Sequence, residues 1–455
     1  MPRSLTSTAA AAALLLALAA ASPASGQTDP RMPGQRAMRA LSLDQAIAEA
    51  LAGNARLAIA EARGEIAGSR SRSASSPLWP RLEAQAGYTR SVDPVFAFGT
   101  KLRQGRFEEP DFALDALNNP EPIGDWSTVV GVRWSLLDPT LWAGRSAARR
   151  QAEAADWSTI RTREATVLLI RTAYHRAQMT EAQQAAAAAD KEAAEANLER
   201  FRRRRDRGLL TEADYLQAVA EVAAAEARLT EAERVRIDAL QDLGHHLGWG
   251  PDTLPEPSDE LSLPAELGEV EFDPEARADL RARAAAAEAS GAAKTQATLS
   301  YVPAVDAFAQ YATHSEDPLS FDQDNWTVGV MLRWTLFDGF GRAADLQRAN
   351  LERRIAQIEY AQALRDARSE LSEADRGVRS AERQVQATQA ARAAAESGRD
   401  LMRRRFEEGL ATAADLLQAE ARATDMRQRA ITALAGYHTA VAHLEFVQSQ
   451  SNVEN

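Results

Sequence analysis

The sequence of 455 residues contains no cysteine, and this absence removes several kinds of protein from consideration. Without cysteine the chain has no disulfides, no thiolate metal site, no cysteine nucleophile and no N-terminal cysteine that could carry a lipid anchor. Aromatic residues are also scarce, at 6% of the chain, whereas residues 185–189 are all alanine. This composition favours long helices with closely spaced backbones over a compact enzyme with a bulky core.

An excess of basic charge is missing as well. Lysine and arginine number 53 against 65 acidic residues, for a formal charge of −12, and no basic block is interleaved with aromatic residues. Nucleic acid is therefore not an expected partner. The sequence also lacks a glycine-rich phosphate loop and a Gly-x-Ser-x-Gly motif. We predict neither enzymatic activity nor a cofactor, so energy for any transport must come from a partner.

The histidines do not form a metal-binding pattern. The pair at 245 and 246 lies at a predicted helix end, and His438 and His443 are spaced so that they do not share a helix face. No metal site is predicted. The chain has six histidines in all: His175, His245, His246, His314, His438 and His443.

A long hydrophobic run occurs only at the N-terminus. Residues 9–21 are uninterruptedly apolar, Arg3 precedes them, and small residues at 24–26 suit a cleavage site, so residues 1–26 are predicted to be a signal peptide. Beyond them no stretch of 18 apolar residues exists, which excludes a membrane-spanning helix. The exported protein is then either soluble or a β-barrel.

The remainder of the chain is a duplication. WSTVVGVRWSLLD at residues 126–138 matches WTVGVMLRWTLFD at 326–338, and GLLTEADYLQA at 208–218 matches GLATAADLLQA at 409–419. Two copies of one structural unit therefore follow each other. We place the first repeat at residues 27–250 and the second at 273–447. An acidic, proline-rich linker (251–272) separates them, and a polar tail (448–455) ends the chain.

Each copy predicts two strands with one apolar face. Residues 82–89 and 305–311 alternate between apolar and polar side chains, as a half-buried strand does. The second strand alternates more clearly, with its apolar side chains at the even-numbered positions of 126–136 and 326–336. A tryptophan lies near each end of both bands. Apolar bands edged by aromatic residues are typical of outer-membrane barrels, although a soluble sheet packed on a core has the same alternation.

Long helices follow each strand pair. Residues 145–207 contain no proline or glycine, and residues 342–408 contain only two glycines, so each predicts a helix roughly 95–100 Å long. Each long helix ends at a glycine, and a shorter helix returns. Two shorter helices laid end to end match the length of one long helix. The pattern predicts a helical cylinder beneath the strands.

These residues resemble the TolC family of outer-membrane efflux channels. LSLDQAIAEAL at residues 41–51 is similar to the N-terminal helix of that family, and WTLFDGFGR at 334–342 is similar to its strand-to-helix junction. The resemblance covers about residues 41–447. It implies an α+β, mostly α fold: a homotrimer whose twelve-stranded outer-membrane β-barrel, with four strands per chain, continues into a periplasmic α-helical coiled-coil tunnel. It also implies docking on a periplasmic adaptor and an inner-membrane pump.

The strand count supports the trimer independently. Four strands cannot close a barrel, eight leave an interior filled by side chains, and twelve are the first multiple expected to enclose a passage. In such a barrel we expect the even-numbered faces to contact outer-membrane lipid, and Arg133 and Arg333 to face the lumen. The segment between the first two strands, residues 90–125, is long and rich in proline and phenylalanine. It is either a lid over the mouth of the barrel or a loop without a function of its own.

The helix turns are the predicted functional ends. Thr211 and Thr412 have the pattern of N-caps, with Asp214 and Asp415 in the third helical position of a capping box. On a threefold axis, aspartates at a constriction form a cation-attracting ring. In similar family members the second turn carries such a ring. We therefore assign the gate to Asp415, with Asp214 mainly a cap. The predicted adaptor contacts are Gly208, Leu209, Leu210, Gly409 and Leu410.

Two functions follow from different interpretations of this pattern. In the first the protein is a passive outer-membrane exit duct of a tripartite efflux pump or a type I secretion system, exporting small molecules or polypeptides. In the second it is a soluble periplasmic coiled-coil scaffold whose strands form a small packed sheet. The arginine runs 202–205 and 403–405 precede the helix ends, where they either stabilise the helix dipole or contact an adaptor.

Overall fold

The computed structural model describes residues 37–262, 272–318, 320 and 323–449. The predicted signal peptide and residues 450–455 of the predicted tail lie outside the described residues. In chain order the elements are β1 (Ala37–Leu41), α1 (Leu43–Gly53), α2 (Ala55–Ser73), β2 (Arg81–Ser91), α3 (Pro94–Arg103), α4 (Leu114–Asn118), β3 (Ile123–Leu137), α5 (Pro139–Asp206), α6 (Glu212–His246), β4 (Thr253–Pro257), α7 (Ala278–Leu299), β5 (Ala304–Ser315), β6 (Gln323–Arg333), α8 (Gly341–Glu407) and α9 (Ala413–Gln448).

The four long strands form one antiparallel sheet in the order β2–β3–β5–β6. Its register aligns the predicted apolar faces, because Val130 lies opposite Ala84 on one side and Tyr311 on the other, and Tyr311 in turn lies opposite Trp326. The neighbouring row on the other face is polar or small: Glu83, Gly131, Gln310 and Thr327. All four strands therefore present their apolar side chains on the same face of the sheet, as the alternation predicts.

The helices extend from one end of the sheet and pack side by side, and we call the sheet and this row of helices together the wall. α5 and α8 have 68 and 67 residues, so each is roughly 100 Å long at about 1.5 Å per residue. Near the sheet, α2 packs on α5, α5 on α7 and α7 on α8, which is the order of the strands that these helices adjoin. No helix of the described segments combines the length and the apolar character that crossing a bilayer requires.

Farther from the sheet, beyond α2 and α7, the returning helices α6 and α9 lie beside the long helices instead. α6 packs against α5, and α9 packs against both α8 and α5. A buried apolar cluster joins α8 and α9, in which Leu371, Val378 and Val385 of α8 meet Tyr437 and Leu444 of α9. Each long helix is therefore flanked by two shorter ones in succession, as the helix lengths predict.

A second, smaller sheet lies beside the middle of α5. β1 pairs in parallel with β4, and Leu41 and Leu254 are buried there against Ile170 of α5 and Leu240 of α6. β4 belongs to the segment 251–272, for which the sequence predicts a linker. Its described part is packed structure: the Tyr174 hydroxyl lies 2.9 Å from both the Asp259 carboxylate and the Leu41 carbonyl, within hydrogen-bonding distance of each.

The two strand connections at the far end of the sheet differ strongly. Residues 92–122, between β2 and β3, contain α3, a short 3-10 turn (Glu109–Phe112) and α4. Three phenylalanine rings pack edge to face there, with centroid distances of 4.9 Å between Phe98 and Phe107 and 5.0 Å between Phe107 and Phe112. The connection between β5 and β6 spans only residues 316–322. The predicted long loop is therefore a folded element.

Candidate functional site

The α5–α6 and α8–α9 turns form the end of the wall farthest from the sheet. Each long helix ends at a glycine with left-handed backbone, Gly208 at φ 71° and Gly409 at φ 76°. The next amide reaches back into the helix: Leu209 N–H donates to the Arg204 carbonyl at 2.9 Å, and Leu410 N–H to that of Arg405 at 2.8 Å. This is a Schellman-type end, which requires glycine because a Cβ is unfavourable at positive φ.

The returning helices begin with the predicted threonine caps. The Asp415 and Asp214 amides donate to the hydroxyls of Thr412 and Thr211, both at 3.2 Å, and each hydroxyl donates to its aspartate at 2.7 Å. In α9 the Thr412 amide also donates to the Asp415 carboxylate at 3.0 Å, which completes a capping box. The threonine caps are thus confirmed at both turns, whereas the aspartate completes a capping box only in the second repeat.

Hydrogen bonds set the charge of Asp415. The Thr412 hydroxyl, then the Thr412 amide, lower the pKa of its carboxyl group, and the nearby Arg405 lowers it further. Asp415 is exposed, while Asp214 is half-buried. The two hydrogen bonds from Thr412 go to the same oxygen, Oδ2, so the described contacts leave Oδ1 of an ionised, exposed carboxylate available. The gate role predicted for Asp415 requires this state.

A buried cluster joins the two turns within one chain. Phe201 of α5 and Phe406 of α8 lie with ring centroids 5.1 Å apart, and Leu416 of α9 is fully buried beside them. Arg204 strengthens the junction, because its guanidinium lies over the Phe406 ring and donates to the Glu407 carbonyl at 2.7 Å. One arginine of the first run therefore satisfies the C-terminal carbonyl of the other repeat.

The predicted adaptor contacts divide into two kinds. Leu209 and Leu410 are 67% and 65% exposed, and a Cβ on Gly208 or Gly409 would meet open space. Leu210 is instead half-buried against the cluster that joins the turns. The structure therefore brings two leucines and two glycines together as a surface, with Leu210 supporting it from below.

In the sheet, Arg133 and Arg333 lie on the face opposite the tryptophans. Arg333 forms an ion pair with Asp306 of β5 at 3.2 Å. Arg133 is aligned with Arg81 of β2 and with Phe308 of β5. The face predicted to line a lumen thus carries charged side chains, whereas its opposite carries Trp126.

Several buried polar groups escaped prediction from sequence. His175 of α5 stacks on His438 of α9 at 4.5 Å, and burial lowers the pKa of His175 to about 4. Farther toward the turns, Arg427 of α9 donates to Asp190 of α5 at 2.6 Å. No local pattern marks these residues, because their partners lie more than 200 residues away. Among the described residues no cluster of histidine and carboxylate side chains could hold a metal ion.

Comparison with known proteins agrees with this architecture. A family model described as outer membrane efflux protein matches residues 46–248 and 275–447. VceC from Vibrio cholerae superposes with a TM-score of 0.77 at 21% identity, covering 90% of this chain and 96% of that one. The Campylobacter jejuni CmeC channel gives 0.75 at 15% identity, covering 91% and 87%. The open Neisseria gonorrhoeae MtrE channel gives 0.73 at 20% identity, covering 90% and 88%. A comparison with curated protein sequences gave no match.

A sheet with one apolar face, continued by paired helices of about 100 Å, is the architecture of an outer-membrane channel. Because the family model matches both repeats, the chain belongs to the outer membrane efflux protein family. This membership places the protein in the outer membrane, with a large periplasmic portion, and decides against the periplasmic scaffold. The family consists of channel proteins, not enzymes.

Proposed function

We propose that the protein is the passive exit duct of a tripartite efflux pump or a type I secretion system. It works as a homotrimer that receives small molecules or polypeptides from an inner-membrane pump through a periplasmic adaptor. The sequence offers no nucleotide-binding motif, so the pump supplies the energy.

The observation that carries this proposal is that the wall has two open edges. β2 and β6 each pair with only one strand of the described chain, and the adjoining helices α2 and α8 likewise end the row of helices. Both helix edges expose apolar side chains at helical spacing, Ile59 and Ile66 on α2 and Leu351, Ile355 and Ile358 on α8. Exposed edge strands beside apolar stripes require partners.

Copies of the same chain satisfy both edges at once. If β6 of one copy pairs with β2 of the next, the α8 stripe of the first lies beside the α2 stripe of the second. Three copies close a ring of twelve strands, which is wide enough to leave a passage. In that ring the face with Trp126 and Val130 contacts outer-membrane lipid, and Arg133 and Arg333 line the lumen.

The turns then lie around the threefold axis at the periplasmic end. We assign the gate to Asp415, whose exposed carboxylate would form a ring of three negative charges, with Asp214 mainly a cap. The exposed surface of Gly208, Leu209, Gly409 and Leu410, backed by Leu210, is the proposed contact with the adaptor. Exposed leucines next to glycines provide an apolar patch that a helical hairpin can approach closely.

Two measurements test the duct. Outer-membrane fractions should contain a trimer that resists SDS without heating and dissociates on boiling, and the purified trimer should conduct ions in a planar bilayer. A protein released by osmotic shock as a water-soluble monomer would overturn the proposal. A trimer that forms in the membrane without conducting, even after proteolytic opening of its turn end, would contradict the duct while leaving the assembly intact.

A further inference from the structure

The connection between β2 and β3 is anchored on the inward face of the sheet. Asp125 and His314 lie on the same face as Arg133, because Asp125 follows the alternation of β3 and His314 is aligned with Ser127. The His314 ring and the Asp125 carboxylate are 2.8 Å apart and both are buried. Gln104, at the end of α3, docks on this pair.

Gln104 makes an unusually complete set of contacts for a loop residue. Its amide nitrogen lies 2.9 Å from the Asp125 carboxylate, 2.9 Å from the Gly124 carbonyl and 3.2 Å from the Ser315 carbonyl, and its two N–H groups are shared among these three acceptors. Its oxygen accepts from Arg106 at 2.8 Å, and Arg106 forms an ion pair with Glu316. One buried side chain therefore connects α3 with the ends of both β3 and β5.

The following residue fixes the direction of the connection. Gly105 has φ 68°, and a Cβ there would lie 2.7 Å from the side chain of Gln323. Gln323 is aligned with His314 and belongs to the same face of the sheet. The chain thus crosses the inward rim of β3, β5 and β6 closely, and a side chain at this position would push it away.

α3 exposes an apolar side, whereas a typical surface helix turns its apolar side toward the protein core. Ala97 and Thr100 are buried, at 3% and 0% exposure, while Val95 and Leu102 on the opposite side are exposed, and Phe98 between them is 36% exposed beside its edge-to-face contact with Phe107. These three residues follow the i, i+3, i+7 spacing of one helix face. Because α3 is anchored on the inward face, this stripe points away from the wall, toward the interior.

We propose that the stripe of Val95, Phe98 and Leu102 contacts the same stripe of the other two copies and closes the outer mouth of the duct. This inference rests on the proposed trimer. Twelve strands spaced about 4.8 Å apart and tilted by about 40° give a backbone radius of roughly 12 Å. Three helices, each about 10–12 Å across with side chains, that meet around the threefold axis fill a circle of roughly 11–13 Å radius, which matches the rim of the barrel. Three identical apolar stripes then bury one another.

The cysteine-free chain offers a direct test. Phe98→Cys places one thiol on the stripe of each copy, and oxidation with copper phenanthroline in outer-membrane vesicles should link pairs of chains, which appear as dimers on boiled, non-reducing gels. Arg103→Cys is the matched control, because Arg103 is exposed on the same helix but off the stripe. We expect about five-fold more dimer from Phe98→Cys, since a disulfide needs Cα atoms about 4.4–6.8 Å apart.

A second variant tests the anchor. Gln104→Ala in the Phe98→Cys chain removes the contacts with Asp125 and Ser315, and should lower the dimer yield about five-fold by releasing α3 from the rim. If the SDS-resistant trimer is intact but Phe98→Cys cross-links no better than Arg103→Cys, the proposed contact between stripes is wrong. The trimeric duct is not affected by that result. Loss of the unheated trimer in the cysteine-free parent overturns the trimeric duct, and this contact with it. An unchanged yield with Gln104→Ala overturns the anchoring role.

Discussion

The two repeats differ at both ends of the molecule, although they share the elements between. The indole N–H of Trp134 donates to the Leu78 carbonyl at 3.0 Å, and its counterpart Trp334 donates to the Tyr301 carbonyl at 3.2 Å. The same indole contact thus ties the sheet to the preceding segment in both copies. The first repeat, however, carries a folded connection of residues 92–122, and the second carries the complete capping box. The contacts that both repeats share hold the wall together. The differences between the repeats lie at its two ends, where the duct would be closed.

The strand-to-helix junctions differ as well. In the first repeat Asp138 caps α5, accepting from the Thr140 amide at 2.9 Å, and Pro139 begins the helix. In the second, Phe340 precedes α8 with left-handed backbone at φ 72°, and Asp338 accepts from the Arg342 amide at 2.9 Å. Both junctions use an aspartate at equivalent positions to satisfy a helix start, although the chain turns differently between them.

Sequence reasoning succeeded wherever the signal is local. Alternation over 126–136 predicts which face of β3 is apolar, and threonine followed three residues later by aspartate predicts the caps of α6 and α9. It failed where distant segments meet. Residues 251–262 have the acidic, proline-rich composition of a linker, and nothing local marks their strand, whose parallel partner, residues 37–41, lies more than 200 positions away.

The same limit applies to the candidate sites. Glycine, leucine and aspartate at the turns are recognisable because their neighbours along the chain determine their geometry. Gln104 could not be recognised, since its partners Asp125 and Ser315 come close only after the sheet has aligned β3 with β5. From one sequence, helix caps and the apolar faces of strands can therefore be predicted, whereas polar contacts between distant elements cannot.

The largest effect is expected at the junction that holds the repeats together. Phe201→Ala removes a fully buried ring from the cluster of both turns and should cost about 3–5 kcal/mol of stability. The equivalent position of the second repeat, Met402, is only half-buried, so Met402→Ala should cost clearly less. Thermal unfolding of the two variants, followed by circular dichroism, checks this order. Equal losses of stability would contradict this order, because they would mean that the two positions contribute equally to the cluster.

The two faces of the sheet can be compared at adjacent residues. Val130→Arg puts a charge on the proposed lipid face and should cost about 2–4 kcal/mol near the membrane midplane. Gly131→Arg puts it on the opposite face, where a Cβ would lie 3.6 Å from the nearest side-chain atom, and should cost far less. Assembly of SDS-resistant trimers in the outer membrane is the measurement. If both variants assemble equally well, the assignment of the faces is wrong.

The stacked histidines predict a pH dependence of the contact between repeats. Burial lowers the pKa of His175 from 6.5 to about 4, so the folded protein holds it neutral while the unfolded chain protonates it. The stability that this provides is present above pH 6.5 and is lost as the pH falls toward 4, by about 3 kcal/mol. His175→Gln should flatten the dependence of the melting temperature on pH in this range. An unchanged slope would assign the acid sensitivity to other groups.

The two caps should differ by less. Thr211→Ala and Thr412→Ala each remove a hydroxyl that accepts a backbone N–H, at a typical cost of about 1 kcal/mol. Thr412→Ala should cost more, because the hydroxyl also positions Asp415 in the complete box. Chemical denaturation of the purified variants measures both. A larger loss from Thr211→Ala would show that the completeness of the box does not govern the stability of these turns.

The smallest effect on stability, and the most specific effect on transport, is expected for Asp415→Asn. Asparagine keeps an oxygen that can accept from Thr412, so the melting of the trimer should change little, whereas removing three negative charges from a constriction should weaken cation selectivity and block by multivalent cations. Asp214→Asn is the control from the other repeat, and should leave conduction nearly unchanged because Asp214 is half-buried. Conductance of the purified trimers in planar bilayers compares them. If Asp415→Asn leaves conduction untouched and only destabilises the fold, Asp415 serves only as a cap, and the gate lies elsewhere along the tunnel.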